Sequence, residues 1–355
     1  MRGLKLAGIL ALAAPLTFLV WLVFPAAPGD GACRAVALRS AGTGAIVPGT
    51  EDLALDPERG QLIVSAYDRR TNSPGGLYAV SLAALESAAS QVTASPLVLD
   101  APRALRPHGI ALAGMGAQRL YVINRIKSKE GRTAELLTLR LDGPGAALER
   151  SVPLPCGAND ILPLENGAVL VTVDRTVCSG LRRWLADALN LVHGSVVAVM
   201  PDGTRRTLAE HIDFANGIAE QDGLIYVAAT RARALLVYER KALLEGPAPA
   251  TPLRRISLSG APDNISRGAD GKLYIAAHRS LFRFAAYLGG VRGDSPGDIE
   301  AYDPADGTGA ARPLFRLSRI LDGPTSAVAT NGLVIVGGGF SAGLALCAGR
   351  GEARP

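Results

Sequence analysis

Residues 262–276 read PDNISRGADGKLYIA. A polar pair, Asp263 and Asn264, precedes a short run in which apolar and polar residues alternate. A turn follows at Ala269, Asp270 and Gly271, and Leu273, Tyr274 and Ile275 form a second run rich in β-formers. Alone, the stretch is one hairpin, but the unit recurs. Glu51-Asp52-Leu53 leads through Asp56 and Gly60 to Leu62-Ile63-Val64. His108-Gly109-Ile110 leads to Leu120-Tyr121-Val122, and Asn159-Asp160-Ile161 to Val169-Leu170-Val171. Asn216-Gly217-Ile218 leads to Ile225-Tyr226-Val227, and Thr325-Ser326-Ala327 to Leu333-Val334-Ile335. The copies are spaced by roughly 45–60 residues, the period range of a β-propeller blade. Each interval leaves room for two more strands, so each unit reads as a four-stranded blade. The chain reads as all-β, a six-bladed β-propeller.

In a propeller, equivalent strand ends of all blades meet at one mouth of the central channel. The polar heads therefore converge although they are far apart in sequence. Glu51, Asp52, Asn159, Asp160, Asn216, Asp263 and Asn264 all offer oxygen, and His108 is the one imidazole among them. Converging carboxylates and amides describe a site for a hard cation, above all Ca²⁺. Glu51 and Asp263 supply the negative charge, with Asn159, Asn216 and Asn264 as neutral ligands. Asp52 and Asp160 each adjoin a member of that set. Strand alternation aims them the other way, toward a second, deeper ion.

An open cation at such a mouth acts as a Lewis acid toward an ester carbonyl. The chemistry then needs a base to activate water, and His108 is the candidate. Asp174 ends a second strand behind Asn159 and could orient a base or ligand; His278 ends the matching strand behind Asp263-Asn264. His193 and His211 have no such placement.

The net charge is +5, with arginine the main cation. The basic residues are scattered without an aromatic-interleaved patch, which argues against nucleic acid as a partner. Residues 1–28 hold Arg2 and Lys5 before an apolar run to Ala27, read as a signal anchor or a cleaved signal peptide. Either way the body, a linker or outer strand over 29–48, a propeller over 49–349 and a tail over 350–355, lies on the periplasmic or extracellular side. The anchor reading adds a membrane contact.

Export permits disulfides. Four cysteines allow three pairings. Cys33 precedes the first unit and Cys347 lies in the last strand, so their bond would close the ring. Cys156 and Cys178 flank one hairpin, as a second bridge or as two buried thiols. Residues 179–192 (SGLRRWLADALNLV) show a helical apolar face with Ser179 as N-cap, a short amphipathic helix on top of the propeller. Residues 280–288 are a second apolar segment on that side, strand or helix.

These heads, in this order and approximate spacing from Cys33 to Cys347, resemble the paraoxonase/arylesterase family. Glu51-Asp52-Leu53, His108-Gly109-Ile110, Asn159-Asp160-Ile161, Asp213-Phe214-Ala215-Asn216-Gly217-Ile218 and Asp263-Asn264-Ile265-Ser266 carry the resemblance. It implies two Ca²⁺ ions. The catalytic ion would take Glu51, Asn159, Asn216, Asp263 and Asn264; the structural ion would take Asp52, Asp160 and the carbonyl of Ile110. It implies hydrolysis of lactones and aryl esters, with His108 as base and Asp174 and His278 around it. Two positions depart from the pattern. Arginines, Arg125 and Arg175, stand where the family has histidines, and a guanidinium is no base at ordinary pH. The sequence thus points to a calcium-dependent lactonase or arylesterase acting on a small ester. Its alternatives are a gluconolactonase-type propeller with one divalent ion on Glu51, Asn159, Asn216 and Asp263, and a calcium-stabilised propeller that binds without catalysis.

Overall fold

In the computed structural model each of the six repeated heads lies in a strand. The structure describes residues 32–100, 103–113, 119–128, 131–143, 145–180, 193–307 and 309–348. The chain begins with β1 (Cys33–Ser40), β2 (Thr50–Asp56), β3 (Gln61–Asp68), β4 (Ser73–Ser81) and β5 (Gln91–Pro96). Next come β6 (Val98–Leu99), β7 (Pro107–Ala113), β8 (Arg119–Ser128), β9 (Gly131–Asp142) and β10 (Gly145–Leu154). Then follow β11 (Ala158–Pro163), β12 (Val169–Val173), β13 (Gly194–Val199) and β14 (Arg205–Ile212). β15 (Ala215–Gln221), β16 (Leu224–Ala229), β17 (Ala234–Glu239) and β18 (Arg254–Ser257) form the next group. The last strands are β19 (Ala261–Arg267), β20 (Leu273–His278), β21 (Gly297–Tyr302), β22 (Arg312–Arg316), β23 (Pro324–Thr330), β24 (Leu333–Gly338) and β25 (Leu344–Ala348).

Three sheets are plain four-stranded meanders, β11 to β14, β15 to β18 and β19 to β22. A fourth runs β7-β8-β9-β10 with β6 added at its edge. The fifth has eight strands in the order β2-β3-β4-β5-β1-β25-β24-β23. Within it β1 pairs antiparallel with β25 and parallel with β5. The N-terminal strand thus completes a group begun by the last three strands. Cys33 stands opposite Cys347 in that register, and the two are bonded. A second bond joins Cys156 and Cys178.

The innermost strands β2, β7, β11, β15, β19 and β23 touch one another in cyclic order, so the architecture is an all-β, propeller-like ring. Its core lies between the blades. In β16, Ile225 and Val227 pack against Leu170 and Val196 of the preceding sheet, while Tyr226 and Ala228 pack against Ile275 and Tyr302 of the following one. Strict alternation in a doubly covered strand explains why LIYVAA is apolar throughout. Each fully buried Leu or Ile is worth about 1.5–3 kcal/mol, so blade-to-blade burial is the main force closing the ring.

Among the described residues three short α-helices decorate the ring: α1 (Leu82–Glu86), α2 (Arg240–Glu245) and α3 (Leu281–Leu288). The apolar segment over 280–288 is helical, with the Ser280 hydroxyl accepting from the Arg283 amide at 3.4 Å. The helix expected over 179–192 falls almost wholly, and the hydrophobic segment over 1–28 entirely, outside the described residues. Among the described residues no helix is long and apolar enough to cross a membrane.

Candidate active site

Each inner strand slips register against its neighbour at its head pair: between Thr50 and Asp52, Pro107 and Ile110, Ala158 and Ile161, Ala215 and Ile218, Pro262 and Ile265, and Pro324 and Ser326. A bulge there breaks strict alternation. At the first head Glu51 and Asp52 both reach β7, at different points along it. Glu51 Oε1 lies 3.1 Å from His108 Nδ1, and Asp52 Oδ2 accepts from the Ile110 amide at 2.7 Å, both on β7.

The heads form two levels along the channel. Asp52, Asp160 and Asn264 line a cavity of about 370 Å³ among the middles of the inner strands. Glu51, His108, Asn159, Asn216 and Asp263 do not line it. The two aspartates are staples between blades. Asp52 also accepts from its neighbour Leu53 at 2.9 Å. Asp160 repeats the pattern, accepting from Ile218 on β15 and from Ile161, each at 2.8 Å. Glycine fills the alternate positions because the next strand presses close: a Cβ on Gly109 would stand 2.4 Å from the Asn159 carbonyl oxygen, and one on Gly217 2.5 Å from the Ile265 nitrogen.

The other level is oriented from behind. Asn159 Nδ2 donates to Asp174 Oδ2 at 3.4 Å, and Asn216 Nδ2 donates to Thr230 Oγ1 at 3.2 Å. Thr230 Oγ1 itself donates to the Pro262 carbonyl at 2.7 Å, so it can only accept from the amide. His278 Nε2 lies 2.9 Å from Asp263 Oδ2, its ring stacked on Phe284 at 3.7 Å. With both nitrogens engaged, the Asn159 and Asn216 oxygens are left. Both Oδ1 atoms, and that of Asn264, are buried without a hydrogen-bond partner. Buried carbonyl oxygens without donors are rare and call for an explanation.

The carboxylates converge as the repeat requires. Burial raises Glu51 above the ordinary carboxylate range, opposed by Arg69 and reinforced by Asp263. Burial likewise drives Asp52 well above that range, with the Asp160 charge adding to it. Asp160 is pushed up to about 7 by burial, against its two amide bonds and with Asp263 and Glu51 contributing. A cation would relieve this repulsion and satisfy the amide oxygens at once. The donors are all oxygen, as Ca²⁺ prefers. Among the described residues no group of three His, Cys, Asp or Glu is set to hold an ion alone. The neutral amides must complete any such site.

Thr230 was not read from the sequence as part of the site, and neither was Arg69. Arg69, its side chain 8% exposed, places Nη2 3.2 Å from Glu51 Oε2 and 2.6 Å from His108 Nδ1. Nδ1 thus faces a donor, Arg69, and at 3.1 Å an acceptor, Glu51 Oε1; the shorter contact to the guanidinium favours an accepting Nδ1 and a neutral ring with its proton on Nε2. Burial first, then Arg125 and Arg69, hold His108 well below its ordinary pKa. Its Nε2 is buried without a partner. Gly339 makes room for this cluster, since a Cβ there would meet Glu51 Oε2 at 2.0 Å. Arg125 and Arg175 gather at Asp174 instead, at 3.8 and 2.9 Å. The Ile110 carbonyl, implied as a ligand by the family resemblance, belongs to a residue whose amide is bound by Asp52.

No family model matches the chain. No curated protein matches it in sequence. Solved structures do match in fold. A gluconolactonase from Xanthomonas campestris aligns with a TM-score of 0.52 at 17% identity, covering 92% of this chain and 99% of that one. A luciferin-regenerating enzyme aligns with a TM-score of 0.55 at 13% identity, covering 91% and 96%. The PQQ-bound aldose sugar dehydrogenase from Streptomyces coelicolor aligns with a TM-score of 0.52 at 15% identity, covering 91% and 99%. At these identities the likeness shows the fold alone. None of the three is a paraoxonase or arylesterase.

Proposed function

We propose that this protein is an exported six-bladed propeller hydrolase of lactones, of the gluconolactonase type. The eight-stranded sheet counts as two blades meeting at the β1–β5 seam. The observation that carries the reading is the pair of buried, orphaned amide oxygens of Asn159 and Asn216, at the same blade position as the mutually repelling Glu51 and Asp263 carboxylates. These four residues are the ligand set assigned to one divalent cation, for which Ca²⁺ is the natural choice. A second ion would need Asp52 and Asp160 as its ligands. Their amide bonds to Ile110 and Ile218 give both a role that needs none. A bound cation supplies carbonyl polarisation and stabilises the oxyanion of ester hydrolysis.

The chain's own groups do the rest. Asp174, Thr230 and His278 hold the ligands in orientation. Neutral His108 offers its Nε2 proton as a hydrogen-bond donor to a substrate oxygen. For His108 to act as the base at Nδ1, Arg69 must first release that nitrogen. The two disulfides fit an oxidising compartment. Retention on a membrane by residues 1–28 completes the localisation assigned here.

The test is hydrolysis of a δ-lactone and of phenyl acetate with Ca²⁺, with chelator, and with Ca²⁺ restored. Lactone turnover that vanishes and returns, above a slower aryl ester rate, supports the reading. Faster aryl ester turnover would favour the arylesterase reading. A second reading, a propeller that binds without turnover, draws support from Arg69, whose guanidinium already neutralises Glu51. Chelator-sensitive stability with no hydrolysis would select it.

A further inference from the structure

Beside the candidate site a cleft of about 110 Å³ opens between the end of β12, the β8–β9 hairpin and the Cys156–Cys178 bond. Its lining is strongly cationic. Arg106, Arg125, Lys127, Arg132 and Arg175 face it from three separate stretches of chain. Among the described residues the one acidic side chain in the lining is Asp174. Arg125 and Arg175 share the Asp174 carboxylate, so among the described residues the lining keeps an excess of positive charge that attracts anions into the cleft.

The three inner arginines are held in place. Arg106 Nε donates to the Asn72 carbonyl at 3.0 Å. Arg125 Nη2 donates to the Ala158 carbonyl at 3.3 Å, and its Nε is buried without a partner. The Arg175 guanidinium lies 4.9 Å over the Phe214 ring. The wall is rigid, because Gly157 packs so closely that a Cβ would stand 2.1 Å from the Arg175 carbonyl oxygen and 2.6 Å from Asp174 Oδ1. The cleft is also next to the chemistry: Asp174 both lines it and orients Asn159.

We infer that this cleft takes the carboxylate end of the substrate, so that the substrate class is a carboxylate-bearing lactone. The inference rests on the lactone-hydrolase reading above. The volume is well below the roughly 300–1,000 Å³ of a site for a whole drug-sized ligand, and suits a head group. Planar arginine forks match a carboxylate in two-pronged fashion. The rest of the substrate would then extend toward the neighbouring heads.

The test pairs calorimetric titration of succinate with kinetics on two matched δ-lactones, one neutral and one carrying a carboxylate. The variants are Lys127→Glu and Arg132→Gln, both at exposed positions. Succinate is expected to bind the wild type and to bind at least about tenfold more weakly in Lys127→Glu. KM for the carboxylate lactone should rise about tenfold while kcat and KM for the neutral lactone hold. No succinate binding to the wild type, variants that leave it unchanged, or equal effects on both lactones would overturn the assignment. Inorganic phosphate is titrated alongside; phosphate binding without succinate binding would overturn the carboxylate class. If neither lactone is hydrolysed, the hydrolase reading fails and the succinate titration alone decides the cleft.

Discussion

Asn159 donates its Nδ2 to Asp174 Oδ2 across 3.4 Å, and that contact decides which amide atom Asn159 turns to the channel. The same logic runs through Asn216 with Thr230 and Asp263 with His278. Each ligand comes from an inner strand and its orienting partner from the end of the next strand. The β-meander therefore builds the site twice over, once by placing the donors and once by aiming them.

Asp174→Ala should leave the fold intact and free the Asn159 amide to rotate. Apparent Ca²⁺ affinity should fall about 10–100-fold, the usual range for losing a group that orients a ligand. Calorimetric titration measures this. An unchanged affinity would remove Asp174 from the site.

Asp52→Ala should act on stability instead. It strips the Ile110 and Leu53 amides of their buried acceptor. Each amide left buried and unsatisfied costs about 1–3 kcal/mol, so a loss of roughly 2–6 kcal/mol is predicted. Added Ca²⁺ should not restore the melting temperature. A full rescue by Ca²⁺ would mean that Asp52 binds an ion after all.

Without divalent cations, stability should fall as pH rises. Asp160 sits at about 7 in the folded state against 3.8 ordinarily, and Asp52 is raised too. The folded state therefore holds protons that the unfolded chain releases. Between about pH 4 and pH 7 the unfolded state binds fewer protons, so unfolding becomes easier with each pH step and the trend levels off above. Melting curves in chelator at pH 5 and pH 8 check the sign. Higher stability at pH 8 would show that burial and neighbouring charge do not hold protons on these carboxylates in the folded state.

Removing the Cys33–Cys347 bond should open the seam where β1 meets β25. The bond closes a loop of 314 residues, for which chain entropy gives up to about 5 kcal/mol. A Cys33→Ser, Cys347→Ser double variant should melt well below the wild type. Equal melting points would make the β1 pairing sufficient by itself.

Much of this was legible in the chain. The heads stood out because Asp, Asn, Glu and His recur before a β-rich run at a blade period. The ring closure followed from where Cys33 and Cys347 fall. Other features depend on contacts no local pattern records. The bulges that aim Glu51 and Asp52 at the same neighbour are register shifts between strands. Thr230 reads as an ordinary residue at a strand end until the Pro262 carbonyl and the Asn216 amide are seen around it. Arg69 follows an unremarkable strand, and only closure of the ring carries its guanidinium to Glu51 and His108. The cationic cleft unites three separated segments. Asn264-Ile265-Ser266 is a formal glycosylation sequon, but Asn264 is buried at 4% exposure in the channel.

The most direct test of the account is the stoichiometry of Ca²⁺ binding by calorimetry to the wild type and to Asn159→Ala, Asn216→Ala and Asp263→Ala. The account predicts one ion per chain and loss of that ion in each variant, with the Asp52 and Asp160 staples occupied by backbone amides alone. Two ions per chain, or one ion that survives all three substitutions, would contradict it.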